Sequence, residues 1–173
     1  MGSLRRPAVR VALLAMVCAI ALVSAAHAQR GYGQRSFREG SFPPQFPPED
    51  FADGAFTICK LMYRQVRREP WGMGWLTDYP YAAVNLMTRA SELTKIHVSW
   101  DASHNPYPWV VRLTDAALFE CPVIMASDVG TMGISDAEAA RLREYLLKGG
   151  FLWVDDFWGT SAWEQWVSQI RKV

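Results

Sequence analysis

Lys148-Gly149-Gly150-Phe151-Leu152-Trp153-Val154-Asp155-Asp156 is the stretch on which the fold turns. Gly149 stops a helix, because glycine enters the left-handed region at little cost. Phe151 to Val154 is an apolar run of strand length. Two adjacent carboxylates come directly after it. A strand bounded by a helix stop and by acids fits an open α/β sheet, whose ligands bind beyond the carboxyl ends of the strands.

Upstream, the same alternation repeats. Ser135-Asp136-Ala137-Glu138 reads as a capping box, in which the serine hydroxyl accepts from an early amide and the glutamate reaches back. Ala139, Leu142, Tyr145 and Leu146 then line one helix face, and Glu144 precedes Lys148 by four residues in the favourable order. Pro122 to Ala126 reads as a third strand. Phe56 to Tyr63 reads as the first, apolar enough for burial on both faces. A turn rich in glycine and tryptophan comes next, from Trp71 to Trp75. Beyond Pro80, the spacing of Ala83, Leu86, Met87, Ala90 and Leu93 predicts a helix. Lys95 to Trp100 is expected to be the second strand, Asp101 to Trp109 a loop, and Val110-Val111 a possible edge strand. Ser161 to Ile170 is a final helix.

This order predicts an α/β fold. It is a three-layer sandwich with a mostly parallel sheet in the flavodoxin-like order two-one-three-four, with right-handed crossovers. The last helix should feed another strand. The expectation is therefore a domain truncated at its C-terminus, with an apolar sheet edge.

The N-terminus reads as a targeting segment. Arg5, Arg6 and Arg10 precede the uncharged apolar stretch Val11–Val23, and Ala26-His27-Ala28 offers a small-x-small cleavage site. The apolar stretch is shorter than the roughly 20 residues a membrane span needs. Residues 1–28 are thus expected to leave as a signal peptide, giving a periplasmic or secreted protein with no remaining span. Residues 29–54 read as a linker rich in proline and glycine, with Phe37, Phe42, Phe46 and Phe51 able to dock on the domain or on a partner. Residues 55–173 are the α/β domain.

The leader holds three basic residues and no acids, so a chain of net charge +1 becomes −2 without it. With no basic run, nucleic acid is not an expected partner. Cys18 leaves with the leader, and Cys59 and Cys121 remain. Two buried thiols are the favoured reading. A Cys59–Cys121 bridge stays open in a compartment that permits one.

Trp75-x-Thr77-Asp78-Tyr79-Pro80 with Asn85, then Leu142-Arg143-x-Tyr145-Leu146, then Gly149-Gly150-Phe151 with Asp155-Asp156 occur in this order. The combination resembles a bacterial family known only as domain of unknown function 4159. The likeness runs from about Phe56 to the end. Ala83 stands where the family commonly has an acidic residue. The resemblance implies a fold like that of the class I glutamine amidotransferase-like domains, and it implies no reaction.

Three segments should meet at the switch point of such a sheet: the Trp71–Tyr79 loop, the Ser127–Gly133 loop, and Asp155-Asp156 with Phe157-Trp158-Gly159. The candidate ligand-binding residues are therefore Trp75, Thr77, Asp78, Tyr79, Asn85, Asp155 and Asp156. Asp78 is also placed to cap the next helix, and Asn85 to hydrogen-bond back to the turn. If the strand continues, Asp155 and Asp156 point to opposite faces, one toward the crevice and one capping the helix beyond. No catalytic residue and no cofactor are expected. Amidotransferase chemistry needs a thiol at a glycine-flanked strand–helix turn, and Ala126-Ser127-Asp128-Val129-Gly130 has none. His97, Asp101 and His104 lack a recognised zinc spacing. The function expected is a non-catalytic ligand-binding or assembly module of the cell envelope, taking a small polar ligand or an envelope protein partner. The alternative is a metal-assisted hydrolase or carbohydrate-processing enzyme acting through Asp78, Asp155 and Asp156, whose oxygens suit a divalent cation.

Overall fold

A computed structural model describes Met16 and residues 42–173. The proposed leader and cleavage site, and the first half of the proposed linker, lie outside the described residues apart from Met16. The sheet has four strands, all parallel: β1 (Ile58–Met62), β3 (Val110–Arg112), β4 (Val123–Ser127) and β6 (Phe151–Asp155), in the spatial order β3-β1-β4-β6. Two short strands, β2 (Arg64–Gln65) and β5 (Met132–Gly133), pair antiparallel beside it. The helices are α1 (Tyr81–Leu93), α2 (Asp136–Leu147) and α3 (Gly159–Ile170).

Side chains alternate across each strand, and the two faces bury different helices. Ile58 and Met125 pack with Ala83 and Met87 of α1. Cys59, Leu61, Ile124 and Ala126 pack with Ala139, Leu142 and Tyr145 of α2 and with Trp166 of α3. The result is helix, sheet, helix. This is the three-layer α/β sandwich expected, in the order two-one-three-four.

The identity of strand two is a correction. Lys95–Ser99 is irregular and mostly exposed, anchored by Val98 in the α1 cluster and by the His97 carbonyl, which accepts from Phe56 N at 2.8 Å. Val110 and Val111 instead pair with β1 and are fully buried. Two consecutive β-branched residues suit a strand buried on both faces. The lone valine of the Lys95–Trp100 run, among polar neighbours, does not.

The capping box forms as expected: Glu138 N donates to Ser135 Oγ and the Glu138 carboxylate accepts from Ser135 N at 2.8 Å. Gly149 ends α2 with φ +94°. The cysteines correct the favoured reading. Cys59 and Cys121 are joined in a disulfide, with Cα atoms 5.9 Å apart. Cys59 faces the α2 side, where the turn before β4 brings Cys121 within bonding range.

Residues Phe42–Val173 form one compact unit, so the proline-rich stretch from Phe42 lies against the sheet. Gln45 O accepts from Val110 N at 2.8 Å on the outer edge of β3, Arg112 stacks over Phe46, and Phe51 meets Trp109 edge-on. The other outer strand, β6, keeps Phe151 and Trp153 exposed, with Trp158 and Trp163 nearby in sequence and also exposed. Trp166, by contrast, enters the core. Among the described residues, no helix is long and apolar enough to cross a membrane.

Candidate functional site

The switch point falls between β1 and β4, because the chain leaves β1 toward β3 and then returns to build β4 and β6 on the other side. At this point β1 carries Lys60, wholly buried in an otherwise apolar strand. Registered neighbours in a parallel sheet share a face, and Lys60↔Met125 and Ser127↔Asp155 put Lys60, Ser127 and Asp155 on one face. Lys60 Nζ donates to Ser127 Oγ at 2.5 Å and to Thr77 O at 2.7 Å. Burial pulls its pKa down to about 8, against the opposing charges of Asp155, Asp78 and Asp156.

The loop over this lysine is built from local turns. A single 3-10 turn, Gly74–Leu76, is closed by Thr77 N donating to Gly74 O at 3.0 Å, while Thr77 Oγ1 accepts from Met73 N at 3.0 Å. These bonds aim the Thr77 carbonyl at Lys60. Asp78 then takes φ +60°, a conformation aspartate tolerates better than most residues. Its carboxyl group is near enough to that of Asp156 to raise it. Burial first, then Asp78 and the charge of Asp155, push Asp156 up to about 6, with Lys60 opposing. Asp155 Oδ1 is sealed from solvent and has no partner.

Three of the seven candidates, Asp78, Asp155 and Asp156, therefore converge on Lys60, and Thr77 joins through its backbone. Trp75 is half-buried and rests against Tyr79, ring centres 5.8 Å apart. The Tyr79 hydroxyl is turned away from the acids, accepting from Gln45 N and donating to Pro108 O, each at 3.2 Å. Asn85 is exposed on α1 and makes no hydrogen bond to the turn. Asp78 does not cap α1: its carbonyl, not its carboxyl, accepts from Ala82 N at 2.9 Å, and no side chain caps that helix. Neither Asp155 nor Asp156 caps α3, which starts after Trp158 without a side-chain cap. The strand does not continue through Asp156, whose φ of +50° breaks the alternation and brings both acids to one rim.

Reading the sequence missed Lys60, Glu69 and Asp128. The first was visible as a lone cation inside Ile58-Cys59-Lys60-Leu61-Met62. The other two needed coordinates. Among the described residues, no group of three His, Cys, Asp or Glu side chains is arranged to hold a metal ion. A shallow cleft of about 160 Å³ opens at the opposite, amino-end rim, among Phe51, Phe56, Met87, Tyr107 and Trp109. Two carboxylates line it, Glu120 and Asp53, and Asp53 accepts from Ser99 Oγ and Ala55 N.

No curated protein and no solved structure matches the chain. A family model described as "Domain of unknown function (DUF4159)" matches residues 57–173, a span that holds Lys60, the Trp75–Asp78 turn and both terminal acids, and the chain belongs to that family.

Proposed function

We propose that this is an exported protein of the cell envelope whose domain binds a small polar ligand at the carboxyl-end rim, without catalysing a reaction. The observation that carries the reading is the convergence of Asp78, Asp155 and Asp156 on buried Lys60, with Asp155 Oδ1 an unused acceptor. One cation faces three acids, so the rim lacks donors. A ligand rich in hydroxyl or amine donors fits that deficit. Export is supported by the leader-like N-terminus and by the disulfide, which suits an oxidising compartment.

The likeness to amidotransferase-like domains belongs to this reading. It is supported by the strand order and by the tight turn after β4, where Asp128 takes φ +54°. That turn holds no thiol. The contact between Lys60 and Ser127 favours a second reading, a serine nucleophile with a lysine base. It stands behind the first, because Ser127 is fully buried and Lys60, lowered to about 8, is still mostly charged at pH 7.

Ligand-observed NMR and thermal shift with polyols, sugars, amines and amino acids test the proposal. Saturable binding to the wild-type chain, lost in Asp155→Asn, is expected. Binding that Asp155→Asn and Asp156→Asn both leave untouched would refute the site.

A further inference from the structure

The cleft at the amino-end rim lies away from the acid–lysine rim and has walls of its own. It holds about 160 Å³. That is smaller than the roughly 300 Å³ at which drug-sized sites begin, and it leaves room for a small headgroup. One wall is the segment 51–57, which is pinned at three points. Phe51 N donates to Pro48 O at 3.3 Å, Asp53 accepts from the Ser99 hydroxyl, and Phe56 N donates to His97 O at 2.8 Å. The shape is therefore set before a ligand arrives, which lowers the cost of binding. The lining is largely aromatic. Phe51 meets Trp109 edge-on at 72°, ring centres 6.1 Å apart, and Tyr107 stacks on Trp109 at 4.7 Å. All three rings are half-buried, and buried Met87 of α1 joins them.

Among the described residues, the charged groups of this lining are both acids, and no Lys, Arg or His borders the cleft. Each oxygen of exposed Asp53 already accepts one hydrogen bond, from Ala55 N at 2.9 Å and from Ser99 Oγ. Glu120 ends the 3-10 helix Ala116–Glu120, is exposed, and makes no hydrogen bond or ion pair among the described residues. An anion would meet two like charges and no cation. A neutral apolar ligand would strip water from the carboxylates and return nothing. A hard metal ion needs more oxygen ligands than two carboxylates supply. An organic cation answers both halves of the lining, because aromatic rings attract it and the acids balance its charge. With the Asp53 oxygens already engaged, N-methyl groups suit the remaining surface better than N–H donors do. We propose that this cleft binds a small quaternary ammonium ion. The proposal is independent of the rim reading, since a quaternary nitrogen has no hydrogen to offer the donor-poor rim.

Titration of the full chain with tetramethylammonium and with choline, followed at the Trp109 indole N–H resonance, tests it. Both cations should give saturable shifts there. Choline should bind about tenfold or more tighter than 3,3-dimethylbutan-1-ol, its uncharged counterpart of the same shape. Trp109→Leu and Glu120→Gln should each weaken choline by about threefold or more, and Asp155→Asn should leave it unchanged. Trp109 also packs against the core, so if that variant does not fold, Tyr107→Leu takes its place. Equal binding of choline and the alcohol overturns the proposal, as does a shift that fails to saturate by about 50 mM. It is also overturned if affinity survives both Tyr107→Leu and Glu120→Gln. Choline binding that leaves Trp109 unmoved and disappears in Asp155→Asn would place the cation at the other rim and refute the cleft, so the two sites are read separately.

Discussion

Lys60 sits with apolar neighbours on both sides of it in β1, and its ammonium is tolerated because Thr77 O, Ser127 Oγ and three carboxyl groups replace the water it has lost. Lys60→Met removes the cation and leaves those acids uncompensated. We expect a loss of about 3–5 kcal/mol at pH 7, measured by urea unfolding, and a smaller loss at pH 5, where Asp156 is largely protonated. The titrating groups also give the protein a sloped stability profile. Asp128 and Asp156 are raised above their ordinary value, so the folded chain binds protons more tightly than the unfolded chain between about pH 4 and pH 6. Their contribution is fully present at the acid end and is lost as pH rises through about 6, on the order of 3 kcal/mol for Asp128. Lys60 is shifted the other way, and stability should recover as pH climbs from about 8 toward 10. Unfolding curves across this range check both signs, and a stability that rises steadily from pH 4 to 7 would contradict the account. At this scale the sequence showed the acids but not what they surround. Asp155 and Asp156 are legible as a pair after a strand. Glu69 and Asp128 lie 59 positions apart, and only the fold shows that both are buried.

The elements were more legible than the residues, for physical reasons that differ from one to the next. α2 has its start and stop written in side chains and backbone freedom, Ser135 with Glu138 at one end and Gly149 at the other. Ser135→Ala should cost about 1 kcal/mol, seen as a lower thermal midpoint. Strand two was misplaced because Lys95–Trp100 and Val110–Arg112 are both short, and only docking against β1 decides between them. The cap role expected of Asp78, and of one of Asp155 and Asp156, does not form because cap preference is a local rule, while the positive φ of Asp78 and Asp156 serves the rim. The disulfide could not be read from spacing alone. It closes a loop of 62 residues in sequence separation. Its reduction should cost about 4 kcal/mol on the chain-entropy account. Urea midpoints with and without reductant test this, and an unchanged midpoint would contradict it.

For the molecule as a whole, the proposed export rests on the charge asymmetry of the first 28 residues and on the covalent link between Cys59 and Cys121. If the proposed export holds, the full chain expressed in a bacterial host that exports proteins should be recovered outside the cytoplasm, beginning at Gln29 and oxidised at both cysteines. Mass spectrometry under non-reducing conditions reads both properties at once. An intact N-terminus with reduced thiols would remove the envelope reading while leaving the rim untouched. The rim itself rests on one electrostatic fact, that a buried amine in β1 is surrounded by the acids of the Asp78 turn and of the β6 end. The direct measurement is the pH titration of the Lys60 Nζ resonance by NMR, in the wild type and in Asp155→Asn. A midpoint near 8 that drops further when the Asp155 charge is removed is the predicted result. A midpoint near 10.5, the ordinary lysine value, that ignores the substitution would contradict it.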